Sequence, residues 1–347
     1  MGNPKRFAAV NTKIRSLERK FMTEEDFINI MNKKNTEEIF LYLRDNTEYR
    51  DVLENLDGSK IHRPDLEREI KVHIFVQFRK IVKYFDESYK KLFQILLMKY
   101  EIEDLKFYLR KLLRNEKLTF RVNEYGDLDY EKLSNAKDIN KFVEELRDTE
   151  YYKALKPYLG EKNKKLLFYM VISLDKLYFS KIKEQGLKLS KEDSKNLFET
   201  IGRNIDLLNI EWIYRGLKYY DLFPEELINY TLPEGYRLKY NDIKKLCYAD
   251  DLKEFQQIIL NTEYSFLFDT KKDVDLFMER RIERYLYFKF ISLIKASRMD
   301  ITVSLAYFYL LEYEVKDIFS IVEGIEYNLS FDEMKEYLIR RIKGSGK

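Results

Sequence analysis

Residues that form reactive sites and tight turns are scarce in this sequence. It contains one cysteine, Cys247, and two histidines, His62 and His73, so it has neither a disulfide framework nor a cysteine-ligated zinc or iron–sulfur site. Only 11 glycines and 5 prolines occur among its 347 residues, although the two types make up roughly 12% of average proteins. Because a sandwich, barrel or propeller needs a tight turn about every 8–12 residues, this scarcity favours long helices.

The sequence also lacks an excess of one charge sign and a long apolar run. It has 63 basic and 60 acidic residues, and this balance gives no strong electrostatic field to attract nucleic acid. The longest uncharged apolar stretches, Leu166–Leu174 and Ile301–Leu311, are shorter than the roughly 18–20 residues that cross a membrane. We therefore expect a soluble protein, without a nucleic-acid partner, that acts on a membrane only from outside the bilayer.

Helical periodicity is the strongest positive pattern. Apolar residues recur every three or four positions from Leu66 to Leu96, which is the spacing of one face of an α-helix. If unbroken, this helix would run for about 30 residues, or about 45 Å. Capping side chains followed three residues later by an acidic one mark helix starts at Thr23–Asp26, Ser190–Asp193 and Ser330–Glu333. Since no strand pattern is long enough to compete, the sequence predicts an all-α protein.

The string Thr-Glu-Tyr occurs three times, each time after Asn or Asp at the end of an amphipathic stretch. The copies are Thr47–Tyr49, Thr149–Tyr151 and Thr262–Tyr264, with threonines 102 and 113 residues apart. A tripeptide can recur by chance, so a second marker is needed to establish a repeat.

A second marker keeps a nearly constant distance from the first. Tyr100–Leu105 (YEIEDL) is echoed by Tyr313–Ile318 (YEVKDI) and, more weakly, by Ile205–Ile210 (IDLLNI). The offsets from the threonine to the last residue of this marker are 58, 61 and 56 residues. Two markers with a shared order and spacing predict three homologous helical repeats, 1–120, 121–234 and 235–347. Such repeats could surround a pseudo-threefold axis or stack as a solenoid.

We interpret the Thr-Glu-Tyr motif as a joint between helices. The Asn or Asp before each threonine tolerates the left-handed conformation that ends a helix, and the threonine can cap the next helix. The tyrosine has a large apolar body with a polar tip, which suits a packed joint. The alternative is that the equivalent tyrosines, Tyr49, Tyr151 and Tyr264, line a shared surface.

Patterns for catalysis or cofactor binding are weak. Asp250, Asp251 and Glu254 have the DDxxD/E spacing of the metal-binding motif of terpene-synthase-type enzymes, but the second metal motif does not follow. An acidic residue there can instead cap the following helix, DLKEFQQIIL, where the helix dipole favours negative charge. Phosphate-binding loops of the GxxxxGK[ST] and GxGxxG types are absent from the sequence. We therefore expect no catalytic, cofactor-binding or metal-binding residues and no small-molecule substrate.

The order of these motifs resembles the C-type stalk component of the V/A-type ATPases, the family that includes the d component of the eukaryotic V-ATPase. The opening FAAVNTKIRSLERKFMT (7–23) resembles the first helix of the family, and the three Thr-Glu-Tyr strings look like its recurring element. The family's helix motif, an acidic residue or Asn followed by Arg, is similar to the pairs Asp104 and Arg110, and Asn209 and Arg215, and to Asp317. Glu323 departs from this pattern, because it stands where the third repeat would carry Arg.

The resemblance implies a funnel-like, all-α protein of three repeats with no chemistry of its own. It would sit on the cytoplasmic face of a membrane in the central stalk, between the D and F subunits of the rotor shaft and the ring of membrane proteolipids. Its task would be to pass torque between ATP turnover and the transport of H⁺ or Na⁺. A helical scaffold or adaptor unrelated to ATPases is the alternative, because it would share the composition and much of the repeat.

Overall fold

The regular structure of the chain is helical. A computed structural model describes residues 3–116, 126, 128–161, 165–220, 222–268, 274–296 and 298–344. Across these ranges the chain forms α-helices, short 3₁₀ turns and a π-helical turn, and no β-strand. The predicted all-α fold class is confirmed.

The helices are numbered in chain order. Helices α1 to α9 span Pro4–Glu18, Glu24–Met31, Thr36–Asn46, Arg50–Leu53, Arg63–Val82, Glu87–Leu113, Tyr130–Ser134, Ile139–Glu145 and Glu150–Leu155. Helices α10 to α17 span Leu166–Gly186, Lys191–Arg215, Pro224–Tyr230, Tyr240–Cys247, Leu252–Leu260, Val274–Lys295, Thr302–Glu326 and Phe331–Tyr337. Helices α6, α11 and α16 have 27, 25 and 25 residues, so each is about 40 Å long.

The predicted helix starts are confirmed. Thr23 forms a reciprocal capping box with Asp26 at the start of α2, and Ser330 does the same at the start of α17. At α11 the Ser190 hydroxyl oxygen accepts from the backbone N–H of Asp193. Each cap satisfies an N–H group that the first turn of a helix leaves without an intrahelical partner.

The single long helix predicted from Leu66 to Leu96 is wrong. The chain forms α5 and α6 instead, and Asp86 caps α6 by accepting from the backbone N–H of Tyr89 at 3.4 Å. The apolar stripe continues across the interruption because Ile81, Phe85 and Tyr89 are all buried. Periodicity alone therefore gave no sign of the break.

The chain forms two compact units. Met1–Phe85 and Ile259–Lys347 together make the first, called here the terminal unit, and Asp86–Ile258 makes the second, the middle unit. Compactness records which elements pack together, whereas a repeat records which segments are alike. The repeat boundaries 1–120, 121–234 and 235–347 therefore stay a prediction.

Helix α16 is the centre of the terminal unit. It packs against α1, α5 and α15, and most of its residues are buried. Aromatic rings fill two of these seams: the ring centroids of Phe78 and Phe308 lie 5.4 Å apart, and those of Phe290 and Tyr309 lie 4.4 Å apart in a stacked pair. Large rings contribute much of the buried apolar area in such cores.

Helix α10 has the corresponding place in the middle unit. It packs against α6, α9, α11 and α12, and buries Phe168, Met170, Ile172 and Leu174. Helix α11 continues directly into a π-helical turn, Gly216–Tyr220.

The two longest apolar stretches of the sequence lie in or at the start of α10 and α16. Both helices are covered by other helices of their own unit, which accounts for their apolar character. None of the helices within the described ranges has the length and apolarity needed to cross a membrane.

Candidate functional site

The three motif tyrosines lie in the interior. Tyr49, Tyr151 and Tyr264 expose 1%, 3% and 0% of their surface. The hydroxyl of Tyr49 donates to Glu314 Oε1 at 3.2 Å, and the hydroxyl of Tyr151 donates to Glu101 Oε2 at 2.5 Å. The two acceptors occupy the same place in the second marker, because Glu101 follows Tyr100 as Glu314 follows Tyr313.

The three motif threonines share a local geometry. The hydroxyls of Thr47, Thr149 and Thr262 donate to a backbone carbonyl three or four residues earlier, at 2.6, 2.8 and 2.7 Å. At Thr47 and Thr262 the hydroxyl oxygen also accepts from the backbone N–H of the motif tyrosine, at 3.2 and 3.1 Å. Thr149 stands at the N-cap of α9 without a side-chain capping bond.

The left-handed conformation expected before each threonine is wrong. Among the described non-glycine residues, positive φ angles occur at Asn115, Glu234 and Asn328, and not at Asn46, Asp148 or Asn261. The threonine hydroxyl already occupies a carbonyl at the helix end, and Thr47 itself is extended with a φ of −134°. The chain can therefore leave the helix without a left-handed residue.

Tyr49 leads to a buried charge cluster in the terminal unit. Glu314 and Asp317 lie about one turn apart on α16 and expose 3% and 0% of their surface. Arg340 Nε lies 2.9 Å from Asp317 Oδ2, and Arg340 Nη2 lies 3.8 Å from Glu314 Oε2. The same guanidinium covers the ring of Phe27 at 3.6 Å from its centroid. One guanidinium thus serves two carboxylates.

Backbone donors complete this cluster. Asp317 accepts from the N–H groups of Ile339 and Arg340 at 2.6 and 3.3 Å, and Glu314 accepts from the N–H of Met22 at 2.8 Å. Through these bonds α16 holds the segment that enters α2 and the segment that follows α17. Buried carboxylates tolerate such positions only when hydrogen bonds replace the lost water.

The two carboxylates are compensated unequally. Burial raises the pKa of Glu314 to about 7 and also raises the pKa of Asp317, while Arg340 acts in the opposite direction on both. Asp317 has the closer guanidinium contact and two backbone donors, so we assign the settled negative charge to it. Burial, and then the nearby Glu314, raise the pKa of Tyr49 well above its ordinary value, so this hydroxyl remains a donor.

A neutral histidine packs beside this cluster. The His73 ring centroid lies 4.5 Å from that of Tyr49, and its Nε2 lies 3.1 Å from the Gln77 side-chain amide. Burial lowers the pKa of His73 to about 4, so the ring packs as a neutral group near pH 7.

Marker residues also fix local segments of the middle unit. Asp104 accepts from the Tyr130 hydroxyl at 3.1 Å. The Asn209 side chain accepts from the N–H of Leu232 at 2.7 Å and donates to its carbonyl at 2.8 Å. Like Asp317 in the terminal unit, each of these residues therefore binds the segment that follows its own long helix.

The predicted arginines do not join the buried clusters. Arg110 donates to the carbonyl of Lys106 at 3.1 Å, and Arg215 pairs with Glu211 at 2.9 Å on the same helix. Glu323, where the third repeat lacks Arg, lies 3.3 Å from Arg63.

The acidic motif at the start of α14 acts as a cap. The Asp251 carboxylate accepts from the N–H groups of Lys253 and Glu254, both at 2.8 Å, and the N–H of Asp250 donates to the Glu254 carboxylate at 2.6 Å. Within the described ranges, His, Cys, Asp and Glu form no group of three or more that could hold a metal ion.

Arg340 and Glu314 are the residues of this site that sequence reasoning missed. Glu314 was part of the second marker, so its equivalence to Glu101 was available as a signal. Arg340 has no such signal, because its distance of 23 residues from Asp317 matches no helical spacing and lies outside both markers.

The family profile of the ATP synthase (C/AC39) subunit matches residues 10–337. The chain belongs to this family. The match includes every motif residue named above, from Thr47 to Asp317, and ends three residues before Arg340. Family membership rules out the alternative of a scaffold or adaptor unrelated to ATPases.

Relatives from archaea are named as the C component of an A-type ATP synthase. The protein from Methanocaldococcus jannaschii is 24% identical over 348 residues, covering 96% of this chain and 86% of the relative. The protein from Methanosarcina mazei is 24% identical over 344 residues, covering 96% of this chain and 92% of the relative. With the protein from Methanosphaera stadtmanae the match is 22% identical over 260 residues, covering 73% of this chain and 65%, just under two thirds, of the relative.

Proposed function

We propose that this chain is a non-catalytic subunit of the central stalk of a rotary ATP synthase. It joins the D and F subunits of the rotor shaft to the ring of membrane proteolipids on the cytoplasmic face, and so couples ATP turnover to the transport of H⁺ or Na⁺. The observation that carries this proposal is the family match over residues 10–337.

The internal construction suits a part that passes torque. Such a part must resist slippage between its helices, and close-packed interiors have the required low compressibility. In the terminal unit, Asp317 and Glu314 bind α16 to backbone N–H groups 22 and 292 residues away. In the middle unit, the buried Asn209 side chain binds both polar groups of the Leu232 backbone. These bonds hold connecting segments onto the long helices.

The surface composition suits contacts that depend on charge. Charged residues make up 35% of the sequence with a net charge of +3, so the surface carries both signs. Mixed-charge contacts give orientation and specificity more than affinity. We expect binding to the proteolipid ring to weaken as the Debye length falls from about 10 Å at 0.1 M salt to about 3 Å at 1 M.

Assembly of the complex tests this proposal. The synthase is purified from cells with and without this chain, and the shaft proteins and proteolipids recovered with the soluble head are quantified. We expect loss of the ring from the preparation that lacks the chain, and recovery of the ring when the purified full-length chain is added back. A ring that stays joined to the D and F subunits without this chain would contradict the proposed position.

A further inference from the structure

A cavity with a cationic wall lies in the terminal unit. It has a volume of about 390 Å³ and lies between α15 and α17, within the size range of about 300–1,000 Å³ that is typical of ligand pockets. Four cationic side chains line it: Arg280, Arg281, Arg284 and Lys335. The buried charge cluster described above does not line this cavity, so it is a separate feature of the unit.

The arginines form one stripe on α15. Phe277, Arg280, Arg281 and Arg284 follow a spacing of three, four and seven residues from the first, which places them on one face of a helix. All three arginines are half-buried. A cationic stripe turned toward a cavity differs from the usual solvated charged face, because its side chains are held in place by their surroundings.

Backbone carbonyls position two of these guanidiniums. Arg284 donates to the carbonyls of Leu338 and Ile339, the latter at 3.2 Å, and Arg281 donates to the carbonyl of Leu267 at 2.9 Å. A carbonyl oxygen fixes the position of a guanidinium without cancelling its charge. The third guanidinium, that of Arg280, pairs with Glu283 at 3.0 Å.

The local electrostatic field remains positive. Burial, followed by the neighbouring charges of Arg341 and Arg280, lowers the pKa of Arg284, which indicates that positive charge is crowded at this point. The lining also contains two carboxylates, Asp332 and Glu336. The Asp332 side chain is 89% exposed and lies 3.5 Å from Lys335. Four cationic groups against two anionic ones leave an excess of positive charge in the lining.

We propose that this cavity binds a phosphate group, either as a free phosphate or as the headgroup of an anionic lipid. A phosphate carries up to two negative charges, which matches the excess of cations in the lining. Guanidinium groups present planar sets of donors that fit phosphate oxygens, and arginine is preferred where such oxygens are recognised. Lys335 adds a point charge from the facing helix α17.

Calorimetry and vesicle binding on the full-length chain test this site. The probes are inorganic phosphate, pyrophosphate, and vesicles of phosphatidylcholine with or without phosphatidylglycerol. Arg281→Gln and Lys335→Gln each remove one cation, and we expect each to weaken binding about tenfold, the effect of one charge-assisted hydrogen bond. Asp332→Asn removes a lining carboxylate and should tighten binding severalfold.

A matched control separates this site from general charge attraction. Lys289 is exposed on α15 and does not line the cavity, so Lys289→Gln removes the same charge from the same helix and should leave binding unchanged. Circular dichroism confirms that each variant is folded; Lys335→Gln keeps the test open should Arg281→Gln not fold.

The outcomes distinguish the two sources of phosphate. Saturable binding of pyrophosphate or phosphate with the expected order of variants supports a site for free phosphate. Binding confined to phosphatidylglycerol vesicles, with the same order of variants, supports a lipid headgroup. Absence of binding to every probe at millimolar concentration, or equal weakening by Lys289→Gln and Lys335→Gln, would overturn the proposal.

Discussion

Glu314 and Asp317 share a single guanidinium, and their environments differ in how much charge they support. Asp317 receives Arg340 Nε and two backbone N–H groups, whereas Glu314 receives the Tyr49 hydroxyl, the Met22 N–H and a longer contact with Arg340. A buried carboxyl with less compensation takes up a proton at higher pH. Glu314 is therefore the group in this cluster whose protonation changes near neutral pH.

Replacing Glu314 by Gln should change the pH dependence of stability. Since burial raises the pKa of Glu314 from 4.5 to about 7, the folded state holds a proton that the unfolded state releases between these values. The contribution of Glu314 to stability is then present below pH 4.5 and falls as pH rises through 7, by roughly 1–3 kcal/mol. We expect the stability difference, wild type minus Glu314→Gln, to shrink between pH 5 and pH 8 in urea unfolding.

Two controls isolate this effect. His73 has a pKa lowered to about 4, so its contribution runs in the opposite direction, being lost as pH falls from 6.5 through 4; it is present in both proteins and cancels in their difference. Glu37→Gln, at an exposed position of α3, should show no such pH dependence. A stability difference that stays constant with pH would show that Glu314 is ionised throughout.

The Tyr49 hydroxyl is predicted to stabilise the terminal unit through Glu314. Tyr49→Phe leaves the ring in place and deprives a buried carboxylate of one donor, so we expect a loss of about 1–3 kcal/mol in the free energy of unfolding. Tyr49→Ala also removes the buried ring and should cost about 3–5 kcal/mol. Tyr84→Phe, at a side chain that is 40% exposed, should change the free energy of unfolding by less than about 0.5 kcal/mol. Equal stability of Tyr49→Phe and wild type would exclude a role for this hydrogen bond.

Sequence reasoning reaches part of this site at the residue scale. The Thr-Glu-Tyr strings singled out tyrosines that prove to be buried, because an amphipathic ring at the end of a helix has few other places to go. The acceptors Glu101 and Glu314 could be matched to each other within the second marker, but not to their tyrosines. Those contacts join residues 50 and 265 positions apart, and a single sequence contains no spacing rule at such distances.

Helices α6 and α16 end in the same way. Asn115 and Asn328 have φ angles of 53° and 54°, and each lies 11 residues after its marker aspartate, Asp104 or Asp317. In each case the following N–H donates to the carbonyl five residues earlier, from Glu116 to Lys111 and from Leu329 to Gly324. This is the bond pattern of a Schellman helix end. The agreement supports the predicted repeat for its first and third members, while α11 ends in a π-helical turn instead.

The left-handed residue at the end of α16 gives a direct test at this scale. Asn328 is exposed, so substitutions there act mainly through backbone conformation. Asn328→Val should lower the free energy of unfolding by about 1–2 kcal/mol, because a β-branched residue disfavours positive φ. Asn328→Gly should be neutral or slightly stabilising, because glycine adopts this conformation freely. Thermal unfolding of the two variants checks the order, and equal melting temperatures would contradict it.

Elements were predictable where local chemistry defines them. Periodicity identified the helices, and capping boxes placed the starts of α2 and α17, because both signals lie within a few neighbouring residues. The break between α5 and α6 was missed because buried residues continue the stripe across it. The only local sign was Asp86, and an aspartate is equally at home inside an exposed helix face.

At the scale of the whole molecule, distant parts of the chain share one compact unit. Residues before Phe85 and after Ile259 form the terminal unit, and Glu314 alone joins α16 to Met22 and Tyr49. The order of motifs along the sequence was sufficient to predict the family. It could not predict this grouping, because a repeat indicates which segments are alike without indicating which of them pack together.

The proposed coupling role is tested most directly by ATP-driven ion transport. The complete synthase is reconstituted in vesicles with this chain, without it, and with the chain added back, and both ATP hydrolysis and ion uptake are measured. We expect the preparation without the chain to hydrolyse ATP at a largely unchanged rate in its soluble head and to transport no ions, and we expect the added chain to restore transport. Undiminished ATP-driven ion uptake in the absence of this chain would contradict its role in coupling.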